Sequence, residues 1–134
     1  MWHIVVNIQE RHGIFKVLEG RKMRRETIRC LKETAAKCRL NVVRMLRASG
    51  HGHIGGTYSS IDMVTALYFY KMNVNPEKPD WEDRDRFLLS AGHKSMVQYA
   101  VLAEKGYFQK KFWIHTDIYI LSWQDIRICI SFQE

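Results

Sequence analysis

Two histidines, each set in a glycine-containing turn that leads into a predicted helix, constrain this chain more than any other feature. The first turn, S-G-H-G-H-I-G-G at Ser49–Gly56, carries His51 and His53. The second, S-A-G-H, ends at His93 and follows the short apolar run Phe87–Leu89. A strand, a glycine turn and a helix in succession are typical of ligand sites in α/β folds, where the helix N-terminus favours an anion.

Both turns predict chemistry that depends on imidazole groups. A neutral imidazole accepts or donates a proton near neutral pH. For a lone histidine we would prefer a purely structural turn residue, but two in equivalent positions favour a functional role for His53 and His93. His51 is an alternative to His53 that the local sequence does not separate from it. Gly55 and Gly56 form either a tight turn or a close approach of the backbone to a ligand.

Hydrophobic periodicity predicts three helices around one buried strand. The first, Arg24–Arg47, is amphipathic and ends at a Ser-Gly pair. The second follows Ser59, which forms a capping box with Asp62, and it is apolar nearly all round, so we expect it to be buried. The third runs from about Ser95 to Lys105 and ends at Gly106.

The two ends of the chain differ in character from its centre. Residues 1–20 contain the strand-like runs Ile4–Ile8 and Ile14–Leu18, which predict either a hairpin or an unstructured leader. Residues 109–134 form a tail with the period-two alternation of a strand. The sequence therefore predicts one folded unit over residues 21–108, flanked by a leader and a tail.

Charge and cysteine content narrow the function classes. The net charge of +7 is concentrated in residues 1–50, which hold 12 Lys and Arg against 4 Asp and Glu. A solvated helix face explains this better than a small basic nucleic-acid-binding protein, which is the weaker alternative. Three cysteines without C-x-x-C spacing predict neither a disulfide framework nor a zinc site, and they suit the cytoplasm.

Two other site types are not favoured. No apolar run approaches the roughly 20 residues of a membrane span. The acidic residues Glu82, Asp83 and Asp85 alternate with Arg84 and Arg86, which predicts a salt-bridged surface rather than a metal site.

Taken together, the motifs of Ser49–Phe108 resemble the N-terminal thiamine-diphosphate-binding domain of transketolase. They occur in the family's order as G-H-I-G-G, S-S-I-D-M-V-T-A-L-Y-F, M-N-V-N-P, W-E-D-R-D-R-F-L-L-S-A-G-H and Y-A-V-L-A-E-K-G-Y-F. Ile54, where many full-length transketolases have proline, is more like the split type, in which the two halves are separate chains. The run Trp81–His93 fits transketolase better than the related 1-deoxyxylulose-5-phosphate synthase, which remains an alternative.

The resemblance implies a fold, a reaction and a set of site residues. The fold would be a partial doubly wound α/β thiamine-diphosphate-binding fold, helix-rich in this segment. The reaction would transfer a two-carbon ketol unit between sugar phosphates, with thiamine diphosphate as cofactor and a C-terminal transketolase half as partner in a homo- or hetero-oligomer. His53 and His93 would be catalytic, and His93, Gly55 and Ser90 would contact the cofactor.

Three departures from the family pattern qualify this expectation. The first turn has an extra Gly-His at His51 and Gly52, and residues 109–134 do not continue the pattern. The chain also stops before the family's G-D-G…N metal motif, so we expect the Mg²⁺ ligands to lie outside it. A truncated, catalytically inactive fragment is therefore the alternative to an N-terminal segment of a working transketolase.

Overall fold

Three helices packed on one another build most of the chain that the computed structural model describes, residues 4–7 and 23–109. The elements in order are β1 Ile4–Asn7, α1 Arg25–Ser49, α2 Ile54–Ala66, β2 Arg86–Leu89 and α3 Ser95–Lys105. A π-helical turn, Leu67–Lys71, continues α2, and a 3₁₀ turn, Gly92–Lys94, precedes α3. The helix-rich character expected from the sequence is confirmed.

Helices α1 and α3 follow the predicted pattern. The buried face of α1 contains Ala35, Cys38 and Val42, and the helix ends at Gly50, which takes a left-handed φ of 71°. The N–H of Gly50 donates to the carbonyl of Leu46, as expected for a glycine helix end. Gly106 ends α3 in the same way, and the predicted core residues of α3 are all buried: Val97, Ala100, Val101 and Leu102.

Helix α2 begins earlier than the sequence predicts, at Ile54, so the capping-box prediction was wrong. The hydroxyl of Ser59 donates to the carbonyl of Gly56 at 2.9 Å, one turn back within the helix, and does not cap a helix start. The expected burial on all sides was also wrong. Ile61 and Val64 are fully buried, whereas Met63 is 42% exposed, because α1 and α3 cover only one face of α2.

Strand β2 is half-buried rather than fully buried. Phe87 and Leu89 face the core, while Leu88 between them is 61% exposed, because successive strand side chains point to opposite faces. Strand β1 pairs with β2 in antiparallel register, with Ile4 opposite Leu89. The strand expected near Ile4 is therefore confirmed but pairs with β2, and its predicted hairpin partner Ile14–Leu18 lies outside the described residues, as does the tail from residue 110 onwards.

The loop that connects α2 to β2 contains a buried carboxylate that the sequence did not predict. Asp85 is only 4% exposed, although the alternating charges of its neighbours predicted a salt-bridged surface. Glu82 and Asp83 are exposed as expected, and Arg86 donates to the carbonyl of Glu82 at 3.1 Å. The surface prediction thus fails at Asp85, because its carboxylate accepts a backbone hydrogen bond at the start of the loop.

Candidate functional site

His53 and His93 lie side by side, each beside the N-terminal end of a helix. Their ring centroids are 5.7 Å apart and the planes are nearly perpendicular, at 84°. Both side chains are exposed, so both rings are accessible from outside the domain. The structure therefore brings together the two histidines that the sequence singled out.

The backbone of His53 is fixed by its position as the residue that precedes α2. Its carbonyl accepts hydrogen bonds from the N–H of Thr57 at 3.2 Å and from the hydroxyl of Thr57 at 2.8 Å. Thr57 is fully buried. A buried side chain thus anchors the residue that carries one exposed imidazole, and the repeated Gly-His sequence gave no signal for this contact.

The backbone of His93 is fixed by the 3₁₀ turn that links β2 to α3. The N–H of Lys94 donates to the carbonyl of Ala91 at 2.8 Å, and the N–H of Ser95 donates to the carbonyl of Gly92. Ala91 is itself buried. Residues held at the end of a rigid element keep the precise placement that catalysis requires.

The turn between α1 and α2 has its own anchor at Gly52. This glycine has a φ of +150°, and a Cβ there would lie 2.5 Å from Leu46 Cδ2 and 2.7 Å from Met96 Cε. The turn is therefore packed against both α1 and α3 immediately before His53. His51 is exposed, and its carbonyl accepts a hydrogen bond from the hydroxyl of Ser49 at 2.7 Å.

Gly55 and Gly56 occupy the first turn of α2, so the expectation of a tight turn was wrong. A Cβ on Gly55 would meet no atom within 4 Å, which leaves open space beside the histidines. A Cβ on Gly56 would lie 3.3 Å from Lys94 Cε and 3.6 Å from His93 Cδ2. Gly56 therefore lets α2 pack closely against the 3₁₀ turn, and Gly55 leaves room for another molecule.

Ser90 directly follows β2 and is exposed, three residues before His93. The first turns of α2 and α3 contain no acidic residue. Since the N-terminal end of a helix carries partial positive charge, this part of the surface favours an anion. Imidazoles, a hydroxyl and an open glycine suit a ligand that carries phosphate and exchanges protons.

Other candidate sites are less well supported. Within residues 4–7 and 23–109, no three His, Cys, Asp or Glu side chains are grouped so that they could hold a metal ion. None of the helices in this part has both the length and the apolar character needed to cross a membrane. A groove of about 440 Å³ lies between α1 and α2, lined by residues such as Leu31, Ala35 and Ala66, and it contains none of the predicted site residues.

Comparison with known proteins identifies relatives of this region. The chain is 45% identical over 73 residues to the 6-deoxy-6-sulfo-D-fructose transketolase subunit SqwG of Clostridium sp. (strain MSTE9), which covers 51% of this chain and 26% of that protein. It is 38% identical over 84 residues to an apulose-4-phosphate transketolase subunit from Phocaeicola vulgatus, covering 63% and 30%. It is 41% identical over 80 residues to the chromosomal transketolase of Cupriavidus necator, covering 56% and 12%.

The chain thus spans less than a third of each of these relatives. The sequence model of the family described as "Transketolase, thiamine diphosphate binding domain" matches residues 30–115, well over half of the chain. This range includes the turn of His53, the loop to β2 and the turn of His93. The match confirms the resemblance inferred from the motifs, and the chain belongs to the transketolase thiamine diphosphate-binding domain family.

Proposed function

We propose that this chain is the N-terminal segment of a thiamine-diphosphate-dependent transketolase. Together with a C-terminal partner chain it would transfer a two-carbon ketol unit between sugar phosphates. The observation that carries the proposal is the pair His53 and His93, whose rings lie 5.7 Å apart beside two helix N-termini within the family-matched region. The wider fold would be the doubly wound α/β fold of the family, of which the described helices form one part.

The residues of this chain suit such a cofactor and its substrates. Thiamine diphosphate, when bound, supplies the nucleophilic carbon that cleaves the ketose. His53 would give and take protons at the substrate oxygens through its exposed imidazole. His93 and Ser90 would donate hydrogen bonds to the cofactor, and Gly55 would leave the space that the cofactor enters.

Metal binding and assembly would depend on residues beyond those described. A Mg²⁺ ion would hold the diphosphate with oxygen ligands, which we place outside residues 4–7 and 23–109. Two of the similar proteins are named as subunits, which supports a separate C-terminal chain and a homo- or hetero-oligomer. We also propose a cytoplasmic location, which the free thiols of Cys30 and Cys38 support.

We assign no nucleic acid or membrane partner to this chain. The basic face of α1 is the feature that would favour nucleic acid, and two of its arginines pair with carboxylates instead. Arg29 pairs with Glu33 at 2.8 Å and Arg39 pairs with Asp62 at 2.6 Å.

A reconstitution experiment tests the proposal. The chain is mixed with the C-terminal half of a split-type relative, thiamine diphosphate, Mg²⁺, a ketose phosphate and an aldose phosphate. We expect ketol transfer only when both chains are present, and we expect His93→Ala to abolish it.

Two results would contradict the proposal. Stable association of the two chains without turnover of any ketose phosphate would favour the inactive fragment. Condensation of pyruvate with the aldose phosphate would favour the 1-deoxyxylulose-5-phosphate synthase alternative.

A further inference from the structure

We propose that Lys94 is an oxyanion-binding residue of this site, whose ammonium contacts a phosphate group of the bound ligand. The inference rests on the proposed function for the molecule that carries the phosphate. The lysine was not among the residues that the motifs singled out. It follows His93 directly and occupies the last position of the 3₁₀ turn.

The side chain of Lys94 is held between two elements of the site. Its Cε and Cγ atoms lie 3.3 Å and 3.4 Å from the position that a Cβ on Gly56 would occupy. The aliphatic part of the lysine therefore lies against the first turn of α2, and the residue is half-buried. Because Nζ is bonded to Cε, the ammonium also lies beside this turn, on the same side as the ring of His93.

The local charge distribution favours an anion at this position. Cations are unfavourable at the N-terminal end of a helix, and Lys94 directly precedes α3. In the described part of the chain the ion pairs join Arg29 to Glu33 and Arg39 to Asp62, so neither involves Lys94. A bound oxyanion would turn this unfavourable arrangement into a favourable one.

A phosphate group is the ligand chemistry that this arrangement fits. A lysine ammonium binds phosphate as a compact point charge on a flexible stem. The phosphate has two sources in the proposed reaction, the diphosphate of the cofactor and the phosphate of a sugar. Both present tetrahedral oxyanions, so the experiment has to separate them.

The test follows binding of inorganic pyrophosphate to the full chain through the imidazole C–H resonances of His53 and His93 in NMR spectra. We expect Lys94→Gln to weaken binding about two- to fivefold, the range of an exposed charge contact. Lys94→Arg keeps the charge and should bind nearly as well as the original chain. The matched control is Lys37→Gln, which removes an exposed lysine of α1 about 18 Å along the helix from Ser49.

Two further titrations identify the source of the phosphate. Thiamine diphosphate is compared with thiamine, and a ketose phosphate with the same ketose lacking phosphate. A Lys94→Gln effect confined to the thiamine pair assigns the lysine to the cofactor, and one confined to the ketose pair assigns it to the substrate. Either result supports the inference.

The inference is overturned if Lys94→Gln binds pyrophosphate as well as Lys37→Gln does while its circular dichroism spectrum is unchanged. It is also overturned if pyrophosphate moves neither histidine resonance of the original chain. The proposed function fails separately. Pyrophosphate binding that depends on Lys94, without ketol transfer in the reconstituted assay, would sustain the inference and contradict the transketolase proposal.

Discussion

Asn73 and Asp85 hydrogen-bond to each other in both directions and close the loop between α2 and β2. The N–H of Asn73 donates to the carboxylate of Asp85 at 2.6 Å, and the N–H of Asp85 donates to the carbonyl of Asn73 at 3.0 Å. The loop therefore returns to its starting point immediately before β2, the strand that leads to His93. Its ends are fixed by a buried carboxylate and not by an apolar contact.

Replacement of Asp85 should destabilise the fold. Asp85→Ala leaves the buried N–H of the loop without its acceptor, and we expect the free energy of unfolding to fall by about 1–3 kcal/mol. Asp85→Asn keeps one oxygen acceptor and should cost less. Urea unfolding measures both, with Asp83→Ala as the exposed control, which should change the stability by at most about 0.5 kcal/mol. Equal losses for Asp83→Ala and Asp85→Ala would contradict the role of the loop closure.

Gly52→Ala should be the most damaging glycine substitution in the first turn. The φ of +150° is disfavoured for alanine, and the new Cβ would contact Leu46 and Met96 at distances that require both side chains to move. We expect a loss of about 1–3 kcal/mol in the free energy of unfolding. An unchanged melting temperature would show that the turn does not hold this conformation in solution.

Gly55→Ala should have the opposite effect on stability. Gly55 lies within α2, has no positive φ and would meet no atom within 4 Å, so alanine should stabilise the helix by about 0.5–1 kcal/mol. The added methyl group would occupy the space proposed for the cofactor, so binding of thiamine diphosphate should weaken. Thermal unfolding and calorimetric titration measure the two effects. A variant that is more stable and binds equally well would place the cofactor elsewhere.

Alanine variants of the three histidines should separate the site pair from its neighbour. His53→Ala and His93→Ala should each lower kcat of the reconstituted enzyme about 10²- to 10⁴-fold, as expected for groups that transfer protons or contact the reacting molecules. His51→Ala should have a much smaller effect, because His51 lies in the turn outside the ring pair. Steady-state kinetics decide the matter, and a silent His53→Ala with a damaging His51→Ala would reverse the assignment.

The stability of the domain should fall in alkaline solution through Tyr68. Burial raises the pKa of its hydroxyl above the ordinary value of about 10, and the nearby Tyr107 raises it further. The unfolded chain therefore loses this proton first, so stability is complete below pH 10 and falls above it. The slope is at most about 1.4 kcal/mol per pH unit for this one group.

Tyr68→Phe provides the comparison for this pH dependence. It removes the titrating hydroxyl and keeps the ring, which packs edge-on to Phe87 with 5.7 Å between centroids. Urea unfolding between pH 9 and about pH 11 should show a shallower decline for the variant. Parallel curves for the two proteins would mean that Tyr68 ionises equally easily in both states.

The predictable parts of the fold were those written in local sequence. Gly50 and Gly106 follow periodic apolar segments, and both end helices with a left-handed φ as expected. The start of α2 was missed because His53 caps the helix through no side-chain hydrogen bond and the two following glycines resemble a turn. The buried hydroxyl of Thr57, which bonds the carbonyl of His53, replaces the usual local signal.

The parts of the site that could not be predicted depend on packing between distant segments. The pairing of His53 with His93 was expected because both turns carry the same local pattern. The contact of Lys94 with Gly56 joins residues 38 positions apart, so no local pattern encodes it. Asp85 was misassigned for the same reason, because its partner lies twelve residues earlier and the charges beside it suggest a solvated surface.

The π-helical turn after α2 gives this segment a tolerance for changes in length. The N–H of Met72 donates to the carbonyl of Leu67, five residues back, at 2.7 Å, so the turn holds one residue more than an α-helical turn would. Deletion of the exposed Tyr70 would allow the ordinary four-residue spacing, with Met72 still reaching the core. Relatives with one residue fewer here can thus keep α2 and the loop closure before β2 in place, so an alignment gap at this position need not signal a different site.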